Sequence, residues 1–98
     1  MLVRIVKMTF REDAVETFKS FFAERKEKIR GFEGCIHLEL WQDSMHKNIF
    51  FTYSHWRDDT SLAHYRNSTF FKDTWSQTKQ MFSAKAEAWS VNQLVVLP

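Results

Sequence analysis

Four histidines, His37, His46, His55 and His64, recur at nine-residue intervals, and with Cys35 and the acidic pair Asp58–Asp59 they are the side chains best suited to acid–base, nucleophilic or metal chemistry. No reaction needs that interval. His46 falls in a turn, while His37 and His55 fall on two strands that pair, roughly opposite each other. Two such imidazoles could begin a metal site, but a third ligand is missing. No His-x-Glu-x-x-His, Cys-x-x-Cys or facial-triad spacing is present. The expectation is therefore no metal. Cys35, between Gly34 and Ile36, reads as a small buried hydrophobe rather than a nucleophile. Asp58 and Asp59 are adjacent, so they would not converge on one substrate and suit a helix start better. There is no Gly-x-Ser-x-Gly elbow, and two glycines cannot make a phosphate-cradling loop. No catalytic residue is assigned.

What remains is aromatic. Thr52, Ser54 and Trp56 share one face of a strand by alternation. Leu62 and Tyr65 share a helix face, and Trp75 returns close to the same side after nearly three turns. Where the two faces meet they can enclose a pocket for a flat, partly oxygenated ring such as a quinol. The candidate substrate-binding residues are thus Thr52, Trp56, Tyr65 and Trp75. The plainer alternative is a hydrophobic core with the Tyr65 hydroxyl reaching out to solvent.

The elements that must position these residues follow from periodicity. "LVRIVKMTF" (2–10) reads as a strand. "TFRE" (9–12) fits a capping box, and Val15, Phe18, Phe22 and Ile29 then mark an amphipathic helix of roughly 18 residues ending near Gly31. "GCIHLELWQD" (34–43) and "IFFTYSHW" (49–56) alternate as two paired strands around the turn "DSMHKN". A helix starts at Asp58 or Asp59, kinks at "RNST" (66–69) and continues, and a last strand covers about residues 86–96. The order β-α-β-β-α-β, within one domain spanning 1–98, implies an α+β ferredoxin-like fold: an antiparallel sheet with the helices on one face. The other face carries Phe51 and Tyr53. Covering it with a second copy makes a homodimer, a dimeric α/β barrel.

Bulk properties exclude several classes. Fourteen basic and twelve acidic residues are interspersed for a net charge of +2, so no basic stripe points to nucleic acid. The run "ERKEKIR" (24–30) alternates in sign as a solvated helix face does. No stretch approaches the ~18 apolar residues of a membrane span, and the N-terminus lacks a signal-peptide pattern. The expectation is a cytoplasmic protein with no membrane partner. Ten Phe, four Trp and two Tyr are a heavy aromatic load for 98 residues, again favouring an aromatic-lined pocket or an oligomer interface.

The element order, "GFEG" (31–34) entering the second strand, and "SHWRDDTSLAHYRNSTFF" (54–71) together resemble the antibiotic biosynthesis monooxygenase family of the dimeric α/β-barrel superfamily. Trp56 matches the family's strand-ending Trp and Leu62 its helix Leu, while Ser68 and Phe71 match the Ser and Phe of its kink. The chain departs from the pattern where Tyr65 replaces a frequent His, with His64 one place off. Thr69 and Phe70 replace the kink's Pro and His, and Ser54 replaces a frequent acid. Thr52 stands where the quinol-oxidising branch has a pocket Asn. Val6, Tyr65 and Trp75 stand where the haem-degrading branch has its Asn, Trp and axial His, so that branch's reaction is not expected. The resemblance implies a homodimeric monooxygenase that uses O2 and a small aromatic or quinol-type substrate without a cofactor. The alternative is a non-catalytic, ligand-binding or stress-associated barrel, because no proton acceptor matches the family's His.

Overall fold

The computed structural model describes residues 1–98. Its strands are β1 (Leu2–Phe10), β2 (Cys35–Gln42), β3 (Ile49–Trp56) and β4 (Phe82–Val91), and its helices are α1 (Val15–Arg30), α2 (Asp59–Arg66) and α3 (Thr69–Lys79). The sheet order is β2-β3-β1-β4, with every neighbouring pair antiparallel. This is the ferredoxin-like α+β arrangement that the element order implies.

Alternation assigns the two sheet faces. Arg4, Val6 and Met8 on β1 stand opposite Ser54, Thr52 and Phe50 on β3, and these rows face the helices. Ile5 and Lys7 stand opposite Tyr53 and Phe51 on the reverse face. Two core clusters lie between sheet and helices, while Val3, 2% exposed, is buried on the reverse face beside His55. One cluster gathers Ile29, Cys35, Trp56, Leu62 and Tyr65; the other gathers Met8, Phe10, Phe18 and Phe50. Phe22 packs against both.

Two turns explain the junctions. Asp58 caps α2, its carboxylate accepting the Ser61 N–H at 2.8 Å, and Ser68 caps α3 by accepting the Phe71 N–H at 3.1 Å. The break within the second helical region is thus a fresh N-cap. Gly34 sits at φ +88°, a conformation that disfavours any side chain, and a Cβ there would overlap Ser61. It lets β2 begin tight against the start of α2, with the Gly34 carbonyl accepting the Arg57 N–H at 2.8 Å.

Two sequence expectations are corrected. The Thr9–Glu12 capping box does not form, because Thr9 is still paired within β1. A single 3-10 turn, Glu12–Ala14, leads into α1, and neither start carries a side-chain cap. The last strand spans 82–91 rather than 86–96. It begins where Phe10 pairs with Phe82 and ends where Val3 pairs with Val91, close to the start of β1. Residues 92–98 lie outside it despite their strand-like composition, and Leu94–Leu97 are exposed.

Candidate functional site

A cavity of about 270 Å³ opens between the sheet and the helices, along the seam of the two core clusters. That is just below the ~300–1,000 Å³ of typical small-molecule sites, a size for a small ring system. Phe18, Phe22 and Ile29 of α1, Leu62 and Tyr65 of α2, and Phe71 and Trp75 of α3 wall it on the helix side. β1 and β3 supply the floor, and the small Ala86 and Ala88 of β4 leave room at one side. All four residues singled out from the sequence, Thr52, Trp56, Tyr65 and Trp75, line this one cavity.

The aromatic wall is a continuous stack. Trp56 lies against Tyr65 with ring centres 4.9 Å apart and planes at 27°. Tyr65 meets Phe71 edge-on at 5.0 Å, and Phe71 lies near-parallel to Trp75 at 6.0 Å. Trp56 is 1% exposed, and its indole N–H donates to the Ser54 hydroxyl at 3.0 Å, so both buried polar groups are satisfied. The Thr52 hydroxyl and the Tyr65 phenol make no hydrogen bond to protein. Burial, with a smaller contribution from Cys35, pushes the Tyr65 phenol far above its ordinary value. Tyr65 therefore stays protonated and can donate a hydrogen bond but cannot act as a base.

Sequence reasoning passed over two residues that line the same cavity, Arg4 and Arg66. Arg4 is half-buried, and its Nη1 donates to the Ser90 hydroxyl at 3.0 Å. Burial, and then the nearby Arg66 charge, hold Arg4 below the usual arginine value. Neither makes an ion pair. No Asp, Glu or His lines the cavity. The signal was available in "LVRIVKMTF", where Arg4 shares a face with Val6 and Met8. An arginine among core positions is costly unless it meets an anion.

The histidines lie elsewhere. His37 and His55 are direct partners on the reverse face of the sheet, ring centres 5.2 Å apart. Each engages a neighbour on its own strand: His37 Nε2 contacts Glu39 Oε2 at 2.5 Å, and His55 Nε2 contacts the Tyr53 hydroxyl at 2.6 Å. Glu39 also accepts the Trp41 indole N–H at 2.7 Å, and both contacts pull its carboxyl below the usual range. No three His, Cys, Asp or Glu side chains converge in a metal-holding group. Cys35 is free and buried, and burial raises its thiol, which keeps it protonated and unreactive.

Fold and cavity define a ferredoxin-like α+β domain with an aromatic chamber between its layers. Residues 1–77 match the family model for antibiotic biosynthesis monooxygenase, and the chain belongs to that family. Solved structures agree in fold. An antibiotic biosynthesis monooxygenase superposes with a TM-score of 0.90 at 17% identity, covering 97% of this chain and all (100%) of its own. A conserved protein from Methanosarcina mazei Go1 gives 0.87 at 21% identity, covering 95% and 93%. A variant of SnoaB, a cofactor-independent oxygenase from Streptomyces nogalater, gives 0.88 at 15% identity, covering 99% and 96%. No curated protein sequence matches the chain significantly. No helix is long and apolar enough to cross a membrane.

Proposed function

We propose that this chain is a cofactor-independent monooxygenase acting on a small aromatic or quinol-type substrate in the cavity between sheet and helices. One observation carries the reading: in a member of this family, Trp56, Tyr65 and Trp75 converge on a single chamber with the Thr52 hydroxyl free to bond a ligand. The similarity of fold to the SnoaB oxygenase supports it.

An electron-rich ring can itself reduce O2. For a quinol, one ring C–H becomes C–OH and the two quinol hydroxyls become the carbonyls of the quinone. One atom of O2 stays on the ring, the other leaves as water, and all four electrons come from the substrate. The protein's tasks are to hold the ring flat against the aromatic wall, favour its deprotonated form and exclude water. Trp56, Tyr65 and Trp75 provide the wall, and Thr52 and Tyr65 provide hydrogen-bonding groups.

The functional unit we propose is a cytoplasmic homodimer of a single domain spanning 1–98, with no nucleic-acid or membrane partner. Its interface is the reverse face of the sheet, where Trp41 and Trp89 are exposed, joined by the apolar, exposed Leu94–Leu97 segment. Exposed large apolar side chains such as these favour association.

A second reading, a non-catalytic ligand-binding barrel, is favoured by one feature: the cavity holds no carboxylate or histidine to serve as base. Oxygen uptake with a panel of hydroquinones from about pH 6 to about pH 9 separates the two. The enzyme reading expects uptake above the spontaneous rate for at least one compound. Background rates throughout, with binding retained, leave the binding protein.

A further inference from the structure

We propose that Arg4 and Arg66 form an anion-holding subsite, so that the preferred ligand is a ring bearing an acidic oxygen, bound as its phenolate. The inference rests on the cavity being the substrate site. Three observations point the same way. Both arginines line the chamber, neither has a carboxylate partner, and no acidic side chain reaches the chamber to neutralise them. Arg4 is held in place by its bond to Ser90 across β1 and β4, which leaves its other N–H groups without a protein acceptor. Two like charges beside an apolar chamber repel one another, and only an anion relieves both at once.

The subsite also supplies what the chamber lacks. With no Asp, Glu or His in reach and Tyr65 held protonated, no side chain can take the substrate's proton. A paired cation achieves the same end differently. It stabilises the ionised ligand, so the phenol gives its proton to water as it binds, and the bound phenolate is the electron-rich species that O2 attacks. The O–H bond breaks, its electron pair stays on the oxygen beside the guanidinium groups, and no protein base is consumed. Arg4 and Arg66 are then substrate-binding residues, with the Tyr65 phenol or the Thr52 hydroxyl free to donate a further bond.

The test uses para-nitrophenol, whose phenolate absorbs in the visible, and para-nitroanisole, its neutral methyl ether. Both are titrated against the purified protein, with tryptophan fluorescence reporting occupancy. The expected result is a bound para-nitrophenol that ionises at least about one pH unit lower than in water, a tenfold gain for the anion. In the double variant Arg4→Met, Arg66→Met that shift disappears while para-nitroanisole binds as in the wild type. Arg66→Met alone, at an exposed position, removes part of the shift, and Arg4→Lys retains most of it. A bound phenol that ionises no lower than in water, or a shift unchanged in the double variant, overturns the subsite while leaving the aromatic chamber standing. If para-nitroanisole also fails to bind to the wild type, the chamber itself is not a ring-binding site and both readings fall.

Discussion

The two faces of the β-sheet both carry aromatic rings and do opposite things with them. On β3, Phe50, Thr52, Ser54 and Trp56 turn toward the helices, and Phe51, Tyr53 and His55 turn away. Inside, the Trp56 and Tyr65 rings stack along a mostly apolar chamber whose polar lining is hydroxyls, the Trp56 indole N–H and two arginines. Outside, Trp41 stacks on Tyr53 at 4.6 Å in a network whose polar atoms satisfy one another: Glu39 with His37 and Trp41, His55 with Tyr53. The inner face keeps donors without a protein acceptor beside a cavity, as a ligand site requires. On the outer face the groups around Tyr53 bond one another, and exposed rings such as Trp41 and Trp89 remain for an interface between copies. Residue type alone would have put the function on the histidine-rich outer face.

Substitutions can break this contrast, and the largest effect belongs to the inner rings. Trp56→Ala removes a side chain 1% exposed and should cost about 3–5 kcal/mol in urea unfolding. Trp41→Ala, at 40% exposure, should cost under about 1 kcal/mol under conditions that keep the chain monomeric. Equal losses would mean that the outer stack is part of the folding core. Next comes Tyr53→Arg at the centre of the outer face. It should weaken self-association by about 100-fold in sedimentation, since the seam would have to desolvate a guanidinium, even one beside Glu39, in place of an aromatic ring. Trp75→Ala on the inner side should leave association unchanged, and the reverse pattern would place the interface elsewhere.

A smaller effect sharpens the inner site. Thr52→Val keeps the volume but removes a hydroxyl without a protein partner. Affinity for a hydroxylated ring should fall about fivefold, the equivalent of about 1 kcal/mol, with unfolding little changed. The smallest effect is a pH dependence of the outer face. Burial, and then His37, lower the His55 pKa from its ordinary 6.5, with Glu39 opposing. The folded state therefore prefers neutral His55, and the unfolded chain binds the extra proton. Stability from this group is complete above pH 6.5 and lost as pH falls through the lower folded value. The thermal midpoint should drop modestly over that window, and the drop should be absent in His55→Phe. Glu39, lowered chiefly by its bond to His37, acts in a separate, more acidic window, holding full stability above its unfolded value and losing it below. Tyr53 and His37, the other groups facing His55, remain in both proteins, so the difference isolates one ring.

Much of this contrast could be read from local pattern. Alternation along "IFFTYSHW" assigns Thr52 and Trp56 to one face and His55 to the other, and the Asp58 and Ser68 caps are signalled by side chains that bond only a few residues ahead. The failures were at places where a distant partner decides. Thr9 had the chemistry of a helix cap, but pairing with Ile49 and Ala84 kept it in the sheet. "QLVVLP" had the composition of a strand, but β1 ended before it could pair. Arg4 and Arg66 are 62 residues apart, and nothing local announces that one cavity joins them. The His37–His55 pairing was legible from the turn between them, yet its place opposite the chamber removes it from the proposed chemistry.

The central claim is that the inner chamber lets a bound, electron-rich ring react with O2. The most direct measurement mixes chelator-treated protein, loaded anaerobically with a hydroquinone that it binds, with isotope-labelled O2 and follows the product by mass spectrometry. The account predicts one labelled oxygen atom in the product, formed faster than in free solution and slowed by Trp56→Phe or Thr52→Val. Unlabelled product, or labelled product formed only at the spontaneous rate, would contradict it.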